Sequence, residues 1–380
     1  PLDVAKMRSA RSNRIWLLNL LFGIMTVVNC TAQDWPLWKS YTEHFMDKQV
    51  RVIDHDAGDR TTSEGQSYGM FFALVANDRA QFDGLLHWTE SNLAGGDLSA
   101  QLPAWLWGQG EDKSWGVRDS NPAADADLWM AYTLLAAGKA WNEPRYTALG
   151  TALAKRIAAQ EVAQITGFGS MVLPGPKGFQ HGSSYRLNAS YVPLQVLAEL
   201  AHELPDGPWQ QVQAKLPALL EGSAPHGFVT DWVEVREGGS FAPSAIGSYD
   251  AIRVYLWAGM LDSETPQHAA VLKALGGMEH YLQANAVPPE KVKQDGSIES
   301  PKGPVGFSAA LMPFLATIGE KNLENQQDSR LRSEFDTKTG LYGSPAKYYD
   351  QNLALFALGF MERRFWFNSQ GALQLSWKHS

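Results

Sequence analysis

Cysteine occurs once in the 380 residues, at Cys30. One thiol closes no internal disulfide, so the fold must hold by packing and hydrogen bonds. The nine histidines show neither H-x-x-x-H nor a histidine–carboxylate spacing, which argues against a catalytic metal. Asp54, Asp56 and Asp59 resemble part of a calcium loop, but the glycine is misplaced and the final ligand is missing, leaving a solvated acidic loop. No phosphate-cradling or dinucleotide motif is present, and no cofactor is expected. Excess positive charge is lacking as well. A net charge of −8 and a pI near 5.6 speak against nucleic acid or an anionic membrane as partner.

Long apolar runs are scarce. The one at Ile15–Val28 is short for a bilayer span, is interrupted by Asn19, and follows Met7, Arg8, Arg11 and Arg14. It reads as a cleavable export signal without stable membrane insertion. Cys30-Thr31-Ala32 supplies small residues for cleavage before Gln33, and Pro1–Lys6 is an upstream extension. A lipidated Cys30 is the alternative, although Asn29 stands where a small residue is expected. The expectation is a leader over 1–32 and a single domain over 33–380, exported to the periplasm or beyond the cell.

Strand-like alternation is rare, and Phe228–Val235 and Phe365–Trp377 are the only segments that suggest strands. What is present is helical periodicity. About twelve helices are expected, near 35–49, 63–77, 82–93, 125–141, 144–157, 188–203, 209–220, 248–261, 267–283, 307–318, 321–331 and 348–365. No polar linker or sequence repeat divides the series. Six helical hairpins could close into an (α/α)6 barrel, though periodicity does not separate a ring from a superhelix. Long loops rich in Gly, Pro and aromatics, at 95–124, 167–186, 222–247 and 287–306, would build a cleft at one end.

Three acid positions share one context, the beginning of a helix that follows a long loop: Glu64, Asp125 with Asp127, and Asp250. Ser63 and Gln66 make a capping-box pattern at the first of these. Gly65 and Gly69 are costly inside a helix, and close approach of a ligand or another backbone would explain them. A first-turn acid can simply satisfy the helix dipole. Alternatively, two acids across a glycosidic bond protonate the leaving oxygen and activate water. The dipole favours the ionised acid, so a proton donor here needs burial or a second carboxylate nearby. Aromatics gather in the neighbouring loops, at Trp105, Trp107, Trp115, Trp129, Tyr185, Tyr191 and Tyr249, where rings serve either as sugar platforms or as core. Gly65-Gln66-Ser67-Tyr68-Gly69 also fits a serine-nucleophile pattern, but the buried strand and parallel sheet it needs are not visible.

Thr62–Met70, Asp125-Ala126-Asp127 with its apolar helix, and Ser248–Arg253 together resemble glycoside hydrolase family 8, especially the endoglucanases that accompany bacterial cellulose synthase. Leu102–Gly108, Gly169–Gly175 and Gly303–Ala310 are similar too, so the resemblance runs from about Trp35 to Trp377. It implies an (α/α)6 barrel and inverting cleavage of internal β-1,4 bonds in cellulose. Glu64 matches the family's proton donor and Asp250 its general base. Asp125 matches an acid assigned in that family either as a nucleophile or as the residue that holds the distorted sugar, and inversion favours the second role. Tyr68, Trp105, Trp107, Asp127, Trp129, Tyr185, Tyr249 and Arg253 become candidates for substrate binding. The implied partners are β-1,4-glucan chains and a cellulose synthase complex. A non-catalytic glycan-binding subunit is the remaining alternative, but it would not need the proton donor.

Overall fold

The computed structural model describes residues 34–379, so the expected export signal and cleavage site, with Cys30 and Gln33, lie outside the described residues. Thirteen α-helices occupy nearly half of the described chain: α1 (Pro36–Phe45), α2 (Ser63–Val75), α3 (Arg79–Leu93), α4 (Ala124–Ala140), α5 (Pro144–Gln160), α6 (Leu194–Glu203) and α7 (Trp209–Ser223). They continue with α8 (Ala251–Gly259), α9 (His268–Lys273), α10 (Gly276–Ala284), α11 (Val305–Thr317), α12 (Lys321–Ser333) and α13 (Tyr348–Met361).

Two kinds of helix alternate along the chain. In α2, α4, α8, α11 and α13 apolar residues occur on every side and nearly all are buried. A helix apolar all round has to be enclosed by other elements. By contrast α3, α5, α7 and α12 bury one face only. The fully buried helices therefore form an inner ring. In it α2, α4, α6, α8, α11 and α13 each touch the next, and α13 returns to α2. Outside them α3 packs on α2, α5 on α4, α7 on α6, α9 on α8, α12 on α11 and α1 on α13. This is an (α/α)6 barrel. Its axis is plugged by rings from four inner helices: Phe356 lies 5.0 Å from Tyr68, 5.2 Å from Phe71, 5.3 Å from Trp129 and 5.1 Å from Trp257, centroid to centroid.

Several expectations need correction. The helix expected at 267–283 is two, α9 and α10, broken at Ala274-Leu275; α10 restarts on Gly276-Gly277, where the Gly277 N–H turns to the Gly227 carbonyl at 3.1 Å. The 188–203 segment begins as a 3-10 turn, Ala189–Tyr191, before α6. The first helix stops at Phe45, because Met46 turns extended and bridges Val52. Strands are far more numerous than the two expected segments: sixteen lie among the described residues, none longer than five residues, in six antiparallel sheets. Runs of two to five residues are too short to show a period of two. Most of them lie inside the long loops.

Candidate active site

Those short strands fix the starts of the inner helices. Thr61-Thr62 pairs with Leu106-Trp107, and the Ser63 N–H donates to the Trp105 carbonyl at 3.0 Å, which sets where α2 begins. Ile246-Gly247 pairs with Val292-Lys293 just ahead of α8. Ahead of α4, the Ala124 N–H donates to the Pro174 carbonyl at 2.9 Å. Glu64, Asp125 and Asp250 are thereby carried to one end of the ring on three helix starts.

Arg253, on the first turn of α8, joins them. Its Nη1 donates to Glu64 Oε2 at 3.0 Å and its Nη2 to Asp250 Oδ1 at 2.9 Å, while Asp125 Oδ2 stands 3.9 Å from Nη2. Nη2 also donates to Ser190 Oγ at 2.8 Å. Asn188 completes the frame: its Nδ2 donates to Asp250 Oδ2 at 3.1 Å and its Oδ1 accepts from Ser190 Oγ at 2.7 Å. Tyr348, at the start of α13, donates its hydroxyl to Glu64 Oε1 at 3.2 Å. The Arg253 side chain is 3% exposed against 21% for Glu64 and 27% for Asp250, so the cation is beneath and the acids face the opening.

Burial decides the electrostatics. It is the largest influence on Glu64 and pushes its carboxyl up to about 7; Arg253 opposes this, and the charges of Asp125 and Asp250 add to it. Burial also raises Asp125, with Arg253 and the Ala126 N–H pulling the other way. A carboxyl that holds its proton near neutral pH can donate it, so the helix dipole at Glu64 is outweighed. A cavity of about 240 Å³ beside this group is lined by Tyr249, Tyr349, Arg330, Lys347 and Asp350, among others.

Residues 9–363 match glycosyl hydrolases family 8. The chain belongs to that family. An Escherichia coli protein named Endoglucanase is 44% identical over 376 residues, covering 98% of this chain and 98% of its own. The crystal structure of an endo-1,4-D-glucanase from Vibrio fischeri superposes with a TM-score of 0.85 at 40% identity, over 91% of this chain and 100% of that one. An endo-β-1,4-glucanase from Acetobacter xylinum gives a TM-score of 0.70 at 25% identity, over 87% of this chain and 98% of that one. The chain is therefore a glycoside hydrolase.

In this family 8 hydrolase the expected residues divide into three groups. Glu64, Asp125, Asp250, Arg253 and Tyr249 come together. Tyr249 is 42% exposed, and its hydroxyl donates to Glu290 Oε1 at 2.8 Å, with Ser300 holding the other oxygen of that carboxylate at 2.7 Å. Trp105, Trp107 and Tyr185 are half-buried on the hairpins around this end. Trp107 stacks on Trp115 at 5.2 Å under Arg51, and Trp115 is the ring left 43% exposed. Tyr68 and Trp129 are 2% and 1% exposed; they belong to the aromatic plug and are not sugar platforms. Asp127 is 0% exposed and faces Glu161 instead of a cleft.

The local reading around α2 also changes. Thr62 is the N-cap, accepting from the Gly65 N–H at 3.2 Å, while the Gln66 side chain turns inward to accept from the Val52 N–H at 2.7 Å. A Cβ on Gly65 would meet the Tyr348 hydroxyl at 2.9 Å and Val52 at 3.1 Å, so this glycine makes room for side chains rather than for a sugar. Ser67 is fully buried and donates to the Glu64 carbonyl at 2.9 Å, which gives a nucleophile no access to substrate. Tyr348, Asn188 and Ser190 went unrecognised from sequence. Tyr348 does follow the rule that found the acids, being a polar residue at an inner-helix start after a loop.

Proposed function

We propose that the chain is an exported, inverting endo-1,4-β-glucanase acting on cellulose and cello-oligosaccharides. Glu64 protonates the leaving oxygen, Asp250 activates water on the opposite face of the sugar, and Asp125 holds the distorted ring. The observation that carries this reading is one guanidinium bonded at separate nitrogens to Glu64 and Asp250. Such a bridge keeps the two carboxylates within roughly 8 Å, close enough to act on one glycosidic bond. Inversion needs no covalent intermediate, so Asp125, deepest of the three, is free for a binding role. Tyr249, Trp105, Trp107 and Tyr185 supply polar-edged rings along the glucan chain. The basic, apolar pattern before Gln33 supports a cleaved leader ahead of one catalytic domain, with work in the periplasm or outside the cell. Association with a cellulose synthase rests on the motif resemblance.

Product analysis on cello-oligosaccharides with anomer detection tests this. The α-anomer is expected first from internal cleavage, and Glu64→Gln should lower kcat by about 10²–10⁴-fold with the fold retained. A first-formed β-anomer, or a fully active Glu64→Gln protein, would sink the assignment.

A further inference from the structure

Tyr249 precedes Asp250 in the chain, and its ring is 42% exposed. An exposed side chain ordinarily hops between rotamers within nanoseconds. This one is held at three points. Its hydroxyl donates to Glu290 Oε1 at 2.8 Å, and its carbonyl accepts from the Tyr349 hydroxyl. Phe307 packs against the ring at an angle of 68°, with centroids 5.2 Å apart. Glu290 is fixed in turn. Ser300 Oγ donates to its Oε2 at 2.7 Å, and its own N–H donates to the Ser300 carbonyl at 2.8 Å, where Lys291–Lys293 pairs with Ile298–Ser300. Each oxygen of the carboxylate therefore has one hydroxyl donor. Those two hydroxyls, Ser300 first and Tyr249 next, hold the Glu290 carboxyl below the usual range, so it is ionised and accepts strongly.

A different atom of Glu290 serves Ser248: the main-chain carbonyl accepts from Ser248 Oγ at 2.6 Å. The Ser248 N–H is held separately by Asp231 Oδ1 at 2.7 Å. The approach to Asp250 is thus secured by the Glu290 backbone and by Asp231, whereas the Glu290 carboxylate secures the Tyr249 ring. We propose that Glu290, braced by Ser300, is a positioning residue that clamps the Tyr249 ring as a preset sugar platform beside Asp250. The phenol proton is engaged by Glu290, so Tyr249 meets a sugar with its ring and not as a hydrogen-bond donor. A platform ordered in advance removes the cost of ordering it from the binding step. The clamp accordingly governs how tightly a glucan chain is held, while the rate of bond cleavage stays with Glu64 and Asp250.

The clamp rests on the glucanase reading, so the experiment has a turnover arm and a binding arm. In the first, kcat and KM are measured on cello-oligosaccharides. Glu290→Ala frees the ring and keeps the backbone carbonyl, so KM should rise about three- to tenfold, the cost of ordering one side chain, with kcat changed by less than about twofold. Tyr249→Phe keeps the ring and loses the tether, and should match it. The double variant should be no worse than either single one, because both remove the same bond. Glu290→Gln offers a carbonyl oxygen to Tyr249 and an amide to Ser300, and should restore KM. An unmoved KM in Glu290→Ala, additive losses, a Gln variant as poor as Ala, or a loss confined to kcat would each overturn the clamp. In the second arm, cello-oligosaccharide binding to the Glu64→Gln protein is measured by calorimetry. Adding Glu290→Ala should weaken Kd by the same factor, and adding Glu290→Gln should not. A wild type that cleaves no glucan but shows this Kd pattern would place the failure in the functional reading alone. Cleavage with a Kd indifferent to Glu290 would overturn the clamp alone.

Discussion

Removing Arg253 would leave Glu64, Asp125 and Asp250 with their mutual repulsion and no buried cation to offset it. Breaking a buried ion pair from one side costs about 3–5 kcal/mol, because the abandoned charge stays desolvated. Arg253→Ala should lower unfolding free energy by about that much in urea titrations. The same change removes the strongest influence holding Glu64 down. Its carboxyl should rise further, and the alkaline limb of kcat/KM should move to higher pH in whatever folded protein remains. Arg253→Lys keeps the charge but replaces a planar fork by a point, so it should hold one acid and lose the other. An Arg253→Ala protein with wild-type stability and an unmoved limb would contradict this account. At this scale the site was partly legible. The acids were visible because the same context recurs three times. Tyr348 was missed although it stands at an inner-helix start, because it is not an acid and its bond to Glu64 spans 284 positions. Tyr68 and Trp129 were misplaced for a related reason: in a helix buried all round, periodicity does not distinguish residues beneath a cleft from residues in it.

Helix α8 starts without a cap of its own, since the Asp250 side chain makes no capping bond. The service comes from outside the element. Asp231 Oδ1 accepts the Ser248 N–H at 2.7 Å and the Ala251 N–H at 2.9 Å. A carboxylate at a helix N-terminus satisfies orphan donors and opposes the dipole, and losing such a cap costs about 0.5–2 kcal/mol. Because the capped turn carries both Asp250 and Arg253, Asp231→Ala should destabilise by that amount and lower kcat more than it changes KM. Asp231→Asn keeps an acceptor and should recover most of the stability. Equal stability of the Ala and wild-type proteins in urea would remove Asp231 from this role. Long helices were legible from their period, to within a few residues at most ends. The anchoring hairpins were not, since each strand is too short to alternate and its partner lies in a loop of mixed composition. The break between α9 and α10 was legible in principle, as Gly276-Gly277 interrupts an otherwise apolar pattern.

Closure of the ring was beyond the sequence, because it depends on α13 meeting α2 across nearly the whole domain. That closure also buries carboxyls and ties stability to pH. Burial is the leading cause of the rise in each of three acids: Asp350 to about 6, Glu64 to about 7 and Glu161 to about 8. In the unfolded chain such groups titrate near 4. Between those values the folded state holds more protons than the unfolded state, so unfolding free energy falls as pH rises. The stabilisation is fully present below about pH 4 and is lost through roughly pH 6, 7 and 8 in turn. Surface acids act in the opposite sense: Asp119 and Glu290 are held low by hydrogen bonds, Asp119 chiefly through Trp105 and Glu290 chiefly through Ser300. Their contribution is present above the ordinary carboxylate value and fades as pH falls through their lowered values. The two trends cross in mildly acidic solution. Thermal unfolding followed by circular dichroism should therefore show its highest Tm near pH 5 and a decline of several degrees by pH 8. Glu161→Gln, which stays neutral at every pH, should flatten the upper part of that decline, whereas a wild-type Tm that climbs from pH 5 to 8 would mean the buried acids are already ionised in the folded protein.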